Sequence, residues 1–156
     1  MLKLLVTISL FLLTGYAQVI EKTYQEIDYQ IEKWHYSAAN ADFAGYFSFL
    51  DDDAIFIGTD ASELWKKKEF MDFAKPYFDR GTAWDFKKIS RNIYYEGNFA
   101  WFDEYLDTWM GVCAGSGVLM KTNKGWKLKH YQLSVTVPND IITDFIDLVK
   151  KFNQKE

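Results

Sequence analysis

Residues 126–137, WKLKHYQLSVTV, alternate between two sets of side chains with the period of two that is typical of a half-buried β-strand. One set comprises Trp126, Leu128, His130, Gln132 and Ser134. The other set comprises Lys127, Lys129, Tyr131, Leu133 and Val135. The first set changes from apolar to polar along the strand, as a wall between a closed core and an open mouth would. We therefore expect the first set on the concave face of a sheet and the second set on its outer face.

Three more strands are predicted before this one, since turn signals divide the preceding sequence into strand-length segments. The predicted strands cover residues 84–95, 99–110 and 116–122. Glycine and asparagine at residues 96–98 and 123–125 indicate short hairpin loops, whereas the segment from Gly111 to Gly115 is expected to break the ribbon. Four consecutive strands joined in this way predict a long antiparallel meander.

Amphipathic helices are predicted on the N-terminal side of the sheet. Apolar residues recur there every three or four positions, as Ile20, Tyr24, Ile27, Ile31, Trp34, Ala38 and Ala41. A second, short helix is expected after an N-cap at residues 40–42, followed by a strand at residues 54–57. A third helix should begin near Lys66, and Pro76 should kink or end it because proline lacks the backbone N–H.

The C-terminal segment, residues 140–156, also has helical periodicity, and Asn139 or Asp140 is its expected N-cap. Helices that precede an antiparallel meander predict an α+β domain at residues 22–139, in which a curved sheet wraps its apolar face around the first helices. Such a cone leaves a pocket at its mouth, and the 19% aromatic content supplies side chains to line it.

Composition and charge restrict the class of protein. The 156 residues include 18 Lys and Arg against 22 Asp and Glu, which gives a formal net charge of −4. The sequence argues against a nucleic-acid partner, because its basic runs are confined to residues 66–68 and 87–88 and are typical of a solvated surface. Cys113 is the single cysteine, so no intramolecular disulfide can form and the fold must depend on an apolar core.

Residues 1–17 have the layout of a secretory signal peptide. Lys3 precedes an apolar run at residues 4–13, and Gly15 and Ala17 are small residues of the kind that signal peptidase prefers. The run is too short to cross a bilayer as a helix. We expect cleavage after Ala17, export to the periplasm or the medium, and no membrane span in the mature chain.

Several segments together are similar to one known superfamily. They are the helix containing Trp34, residues 52–60, Trp65 as the expected opening of the third helix, residues 100–102, residues 115–119 and residues 126–134. Together they resemble the SnoaL-like, or nuclear transport factor 2-like (NTF2-like), superfamily, which includes ketosteroid isomerase and scytalone dehydratase. The resemblance implies a conical α+β fold that often dimerises through the outer face of its sheet. It implies no single activity, because this fold hosts isomerases, dehydratases, cyclases and non-catalytic association modules.

Ligand binding is the leading functional hypothesis. The side chains expected to line the pocket are Trp34, Trp65, Phe102, Gln132 and Ser134. A small, mostly apolar molecule is the expected ligand, and a non-catalytic dimeric association domain is a further alternative. A homodimer is expected in each case, with Leu133 at the centre of a two-fold interface, since that end of the outer face is too apolar to remain in water.

Cofactor-independent isomerisation or dehydration is the enzymatic alternative. His130 is one of two histidines, and an imidazole's ordinary pKa of about 6.5 lets it give and take protons. The other histidine, His35, adjoins Trp34 on the first helix and is expected at the surface or at the pocket rim. Glu104 or Asp103 is its expected partner, because an aromatic pocket raises the pKa of a carboxyl group. The strand face that carries Glu104 is favoured as the inner one. No cofactor and no metal ion are predicted, since the two histidines lack metal-ligand spacing.

Overall fold

The computed structural model describes the backbone of residues 2–81 and 83–154, and the side chains of residues 18, 20–81 and 83–154. The elements are α1 (Leu2–Ala39), α2 (Phe43–Phe49), β1 (Leu50–Ile57), β2 (Leu64–Lys66), α3 (Lys67–Asp79), β3 (Lys87–Glu96), β4 (Phe99–Thr108), β5 (Gly111–Thr122), β6 (Gly125–Val135), a 3₁₀ turn (Asn139–Ile141) and α4 (Ile142–Asn153). Within the described residues, no helix is both long and apolar enough to span a membrane. The side chains of the predicted signal peptide lie outside the described part, and its cleavage and the export of the chain stay predictions.

The six strands form one curved, open sheet in the order β2-β1-β6-β5-β4-β3. Strands β3 to β6 pair as the predicted antiparallel meander. Strand β1, however, pairs in parallel with β6, so the sheet is mixed rather than wholly antiparallel. Helices followed by this curved sheet confirm the predicted α+β class.

Helix α1 packs its apolar stripe against the sheet. Ile27, Ile31 and Ala38 are completely buried, and Trp34 is 2% exposed. The repeat of three and four places these residues on one side of the helix, and their burial removes a continuous apolar surface from water. The predicted N-cap of α2 is also confirmed, because the Asp42 carboxylate accepts a hydrogen bond from the backbone N–H of Gly45 at 2.9 Å.

Three local expectations are corrected. Strand β5 begins at Gly111 and continues through Gly115, so the expected break is only a tight turn, in which Gly111 takes a φ of +93°. Helix α3 continues past Pro76 to Asp79, so this proline does not end it. Trp65 lies in the short strand β2 rather than opening α3.

A β-bulge in β6 reverses the predicted inside and outside of its C-terminal half. Leu128 pairs with Leu119 while His130 pairs with Val118, which leaves Lys129 as the extra residue. Because side chains alternate along a strand, one extra residue moves the buried positions from even-numbered to odd-numbered residues. Trp126 and Leu128 are buried before the bulge, and Tyr131 (2% exposed) and Leu133 (6% exposed) are buried after it.

The bulge overturns two expectations. Tyr131 and Leu133 belong to the core of the chain, so Leu133 cannot be the centre of a two-fold interface. His130, Gln132 and Ser134 lie on the outer side of the sheet instead of its concave side. In β4, by contrast, the burial pattern confirms that the face with Glu104 is the inner one.

The C-terminal helix α4 forms as predicted, but none of its residues is buried. Its cap also differs, because neither Asn139 nor Asp140 makes the expected side-chain capping bond: the 3₁₀ turn precedes the helix and Ile141 is its N-cap residue. The domain core is therefore complete without α4.

Candidate functional site

An aromatic cavity of about 260 Å³ opens between α1, α2, α3 and the sheet. Its aromatic lining consists of Trp34, Tyr46, Phe56, Trp65, Phe70, Phe73, Tyr77, Trp84, Phe86, Trp109 and Tyr131. The rings support one another: Phe56 stacks on Phe70 with centroids 3.9 Å apart, and Trp65 stacks on Phe73 at 4.5 Å. This wall offers flat, apolar surfaces whose positions are fixed by mutual packing.

A buried polar cluster lies beside the aromatic cavity and centres on Glu104. Oε1 of Glu104 accepts hydrogen bonds from His35 Nε2 at 2.8 Å and from the Tyr131 hydroxyl at 2.9 Å. Oε2 accepts two more from Arg91, from Nε at 2.9 Å and from Nη2 at 2.7 Å. We call these four residues the Glu104 cluster. His35 and Tyr131 also line the cavity, so the cluster supplies part of its polar surface.

Strand register assembles the sheet side of the cluster. Arg91 in β3 lies opposite Glu104 in β4, and Glu104 lies opposite Gly115 in β5. Gly115 leaves the space that the cluster needs, because a Cβ at this position would overlap the Tyr131 hydroxyl and lie 3.0 Å from Glu104 Cγ. Helix α1 then completes the cluster with His35.

The Arg91 guanidinium connects the cluster to the surface of α1. Its Nη1 donates to Asp28 at 2.7 Å and to Glu32 at 2.8 Å, while the guanidinium itself is buried. Lys88 reaches the same two carboxylates, at 3.3 Å from Asp28 and 3.0 Å from Glu32. Positive and negative groups therefore alternate from the cavity wall to solvent, which compensates the buried charges.

The environment of Glu104 keeps its carboxylate ionised. Burial favours the neutral acid, but hydrogen bonds and charge from His35 and Arg91 outweigh that effect and lower the pKa of Glu104 to about 2. This is opposite to the raised pKa that the sequence led us to expect. Burial and the neighbouring Glu104 charge raise the pKa of the Tyr131 hydroxyl well above its usual value, so Tyr131 remains a hydrogen-bond donor. Glu104 therefore acts as a fixed anion rather than as a proton carrier near neutral pH.

The structure separates the residues that the sequence grouped as one site. Trp34 and Trp65 line the aromatic cavity as expected, and Phe102 is buried in the core with its ring centroid 6.0 Å from that of Tyr131. A depression on the outer face of the sheet is lined instead by Asp103, Gln132 and Ser134. Asp103 accepts a hydrogen bond there from Asn92 at 2.9 Å.

His130 also lies on this outer face, in a row of directly opposed residues across four strands. The row is Tyr94, Trp101, Val118 and His130. Since residues directly opposite each other share a face, the exposed Trp101 fixes the outward direction of His130. The structure therefore does not bring His130 together with Glu104.

His35 is the residue that sequence reasoning missed, since it was expected at the surface or at the pocket rim. It is 8% exposed and makes the contact with Glu104 that was expected of His130. A signal was present: His35 follows the buried Ile31 by four positions and therefore shares its side of α1. In the described residues, no group of three or more His, Cys, Asp or Glu side chains is placed to hold a metal ion.

The chain belongs to the SnoaL-like domain family, whose sequence profile matches residues 27–138. Domains with this fold commonly bind small ligands or act as isomerases or dehydratases. None of the curated protein sequences is significantly similar to the chain.

Solved structures show the same NTF2-like fold at low sequence identity. An NTF2-like protein of unknown function from Pseudomonas putida KT2440 is 15% identical, with a TM-score of 0.66 over 76% of this chain and 90% of its own. A candidate dehydratase of the NTF2-like family from Streptomyces avermitilis is 12% identical, with a TM-score of 0.66 over 76% of this chain and 99% of its own. A candidate ketosteroid isomerase from Parabacteroides distasonis ATCC 8503 is 16% identical, with a TM-score of 0.59 over 72% of this chain and 86% of its own. At these identities the similarity establishes the fold alone.

Proposed function

We propose that this chain is an exported SnoaL-like domain that binds a small, mostly apolar molecule in the aromatic cavity. The observation that carries the proposal is the cavity itself: about 260 Å³ of space walled by stacked aromatic rings, with His35, Thr59, Glu63 and Tyr131 in its polar lining. The volume lies near the lower end of the range for ligand sites and suits a molecule of one or two rings. Export rests on the signal-peptide layout of residues 1–17.

The polar side chains give the ligand an orientation. Glu104 occupies His35 Nε2, which leaves Nδ1 of the same ring for a ligand. A ligand with one hydroxyl or carbonyl group can place it near His35 while its rings contact Trp65 and Phe73. A flat molecule with a single polar group therefore fits better than a pure hydrocarbon.

Calorimetric titration with 2-naphthol and naphthalene tests this proposal. We expect 2-naphthol to bind more tightly, because only it can form a hydrogen bond at the polar side of the cavity. Trp65→Ala should weaken both probes, since Trp65 stacks on Phe70 and Phe73 in the wall.

Trp101→Ala is the matched control for this titration, because Trp101 stacks on Tyr94 on the outer face of the sheet. It should leave both affinities unchanged. Absence of binding by either probe, or equal weakening by the two tryptophan variants, would contradict ligand binding in this cavity.

Acid-base catalysis is a second candidate function, and the contact between His35 and Glu104 favours it. A buried carboxylate that holds one imidazole nitrogen fixes the tautomer and orientation of the ring, so the other nitrogen can accept or donate a proton. The reaction class is isomerisation or dehydration without a cofactor. Here His35 takes the role expected of His130, and Glu104 is a positioning residue.

Conversion of a β,γ-unsaturated ketone to its conjugated isomer, followed by ultraviolet absorbance, tests catalysis. The proton leaves the carbon between the carbonyl group and the double bond and returns to the far alkene carbon, so no co-reactant is needed. We expect His35→Gln to abolish the rate and the matched variant His130→Gln to retain it. Equal rates in both variants would exclude His35 as the proton carrier.

The expected homodimer also remains a proposal, with different residues at its centre. The outer row places Tyr94, Trp101 and Val118 side by side, with 48%, 45% and 37% of each residue exposed. Neighbouring apolar side chains at this exposure form the kind of patch that a second copy of the chain would cover. Trp101, rather than Leu133, is therefore the residue we place at the two-fold interface.

A further inference from the structure

The aromatic cavity extends to one end of the sheet, where β1 ends and β4 turns into β5. Strand β1 runs parallel to β6, and Val135 at the end of β6 pairs with Cys113 just after the β4–β5 turn. The β1–β2 loop therefore lies at the same end of the sheet as this turn. We call the lining residues at this end the cavity mouth: Gly58, Thr59, Glu63, Trp109 and Met110.

The carboxylate of Glu63 is held at the cavity mouth by its own loop. The Gly58 N–H donates to the Glu63 carbonyl at 2.8 Å, and Glu63 Oε2 accepts from the Asp60 N–H at 3.2 Å. A Cβ at position 58 would overlap this carboxylate, so Gly58 leaves the space that it occupies. Glu63 is half-buried and forms no ion pair among the described residues. Its negative charge is therefore uncompensated.

The charge around the aromatic cavity is negative. Among the described residues that line it, none is Lys or Arg, and Glu63 is the only carboxylate. The Glu104 cluster and the surface groups bound to it contribute three carboxylates against two cations, Arg91 and Lys88. The formal net charge of the whole chain, −4, has the same sign. A positively charged ligand is therefore attracted to the cavity, whereas an anion is repelled.

Trp109 supplies an aromatic face for a positive charge. It lines the cavity although 84% of the residue is exposed. Within the described part of the chain, its ring stacks on no other aromatic ring, so its faces are available to a ligand. Another lining ring, that of Tyr77, already has the Arg80 guanidinium 4.8 Å from its centroid. The faces of Trp and Tyr rings attract cations because the π-electrons make them negative.

We infer that the ligand of the aromatic cavity is an organic cation of the quaternary-ammonium class, with its charged group at the mouth between Glu63 and Trp109. A quaternary nitrogen carries no N–H, so it does not need the hydrogen-bond acceptors that a mostly aromatic wall lacks. Its alkyl groups pack against the rings while the carboxylate and the ring faces attract its charge. This inference rests on the ligand-binding function proposed above and adds the charge of the ligand.

Two probes of the same shape separate charge from size. Phenyltrimethylammonium and tert-butylbenzene are isosteric, but only the first is charged. Each is titrated against the full chain in calorimetric competition with 2-naphthol at fixed ionic strength. We expect phenyltrimethylammonium to bind about tenfold more tightly. Equal affinities, or tighter binding of tert-butylbenzene, would overturn the inference and leave the proposed function intact. If neither probe nor 2-naphthol binds, the inference and the proposed function fail together.

Variants at the cavity mouth test which residues hold the charge. Glu63→Gln keeps the size of the side chain, and it should weaken phenyltrimethylammonium about tenfold without changing the affinity for tert-butylbenzene. Trp109→Leu should weaken the cation more than its neutral isostere, because leucine is apolar but has no ring. Glu96→Gln is the matched control, since Glu96 is exposed at the opposite end of the sheet, and it should change neither affinity.

Two results with these variants would also overturn the inference. One is a Glu63→Gln protein that binds phenyltrimethylammonium as tightly as Glu96→Gln does. The other is a Trp109→Leu protein that loses the same fraction of its affinity for both probes.

Discussion

Replacing Glu104 by Gln tests whether the Glu104 cluster holds the domain together. The substitution keeps the shape of the side chain but removes its charge, and it places an amide N–H₂ group among donors from His35, Arg91 and Tyr131. At least one buried donor then loses its acceptor. The Arg91 guanidinium keeps only Asp28 and Glu32 as negative partners.

The substitution should lower the free energy of unfolding by about 3 kcal/mol. Removing one partner of a buried ion pair costs about 3–5 kcal/mol, and the two remaining carboxylates near Arg91 favour the lower value. Lowering the pKa of Glu104 from 4.5 to about 2 corresponds to about 3 kcal/mol, at roughly 1.4 kcal/mol per pKa unit. For a domain of this size, about 3 kcal/mol should lower the melting temperature by about 10 °C.

The sign of the pH dependence follows from the direction of the pKa shift. A carboxyl group whose folded-state pKa is lowered stabilises the fold fully above its unfolded-state pKa of 4.5. As the pH falls from 4.5 to about 2, the unfolded state takes up the proton first and this stabilisation is lost. The Glu104→Gln variant should therefore lose less stability than the unmodified protein over that interval.

Thermal unfolding followed by circular dichroism measures both effects. Asp103→Asn is the matched control, since the neighbouring Asp103 is exposed on the outer face and its substitution should change stability by less than about 0.5 kcal/mol. If the Glu104→Gln and Asp103→Asn variants have the same melting temperature at neutral pH, the Glu104 cluster does not stabilise the fold as described. An unchanged pH profile between 4.5 and 2 would refute the assigned pKa.

Four further perturbations follow from the structure. Gly115→Ala should cost about 1–3 kcal/mol in a denaturant titration, because its new methyl group overlaps the Tyr131 hydroxyl; an unchanged midpoint would contradict the tight fit. Leu133→Glu should unfold the chain, as measured by circular dichroism, because it places a charge in the core; a folded variant would contradict the bulge. Trp101→Glu should give a folded monomer in light scattering if the outer row forms a dimer. Deleting residues 142–156 should leave the melting temperature nearly unchanged, because no residue of α4 is buried, and a large decrease would show that α4 docks on the domain.

Local sequence patterns were sufficient for the class of fold and for most of its elements. The stripe that includes Ile27, Ile31 and Trp34 predicts the buried side of α1, because helical periodicity is a property of neighbouring residues alone. An N-cap within residues 40–42 was predicted from local residues as well, and the structure shows that Asp42 is the cap. Both faces of β4 mix aromatic and acidic residues, so the face with Glu104 was favoured by the sequence but was decided only by the structure. The resemblance that rests partly on residues 126–134 also led to the SnoaL-like family, which the comparison confirms.

The candidate site depended on tertiary structure at two points. In β6, both the even-numbered and the odd-numbered residues include apolar side chains, so alternation alone does not show which set faces inward. The pairing with β5 shows that Lys129 is the extra residue of a bulge, and Tyr131 beyond it faces inward. His35 and Glu104 are 69 positions apart, so no local pattern could join them. Their contact exists because α1 packs across the curved sheet at the level where Gly115 leaves room for the cluster. The sequence therefore determined which surfaces are apolar, whereas strand register and helix packing decided which polar side chains meet beside the cavity.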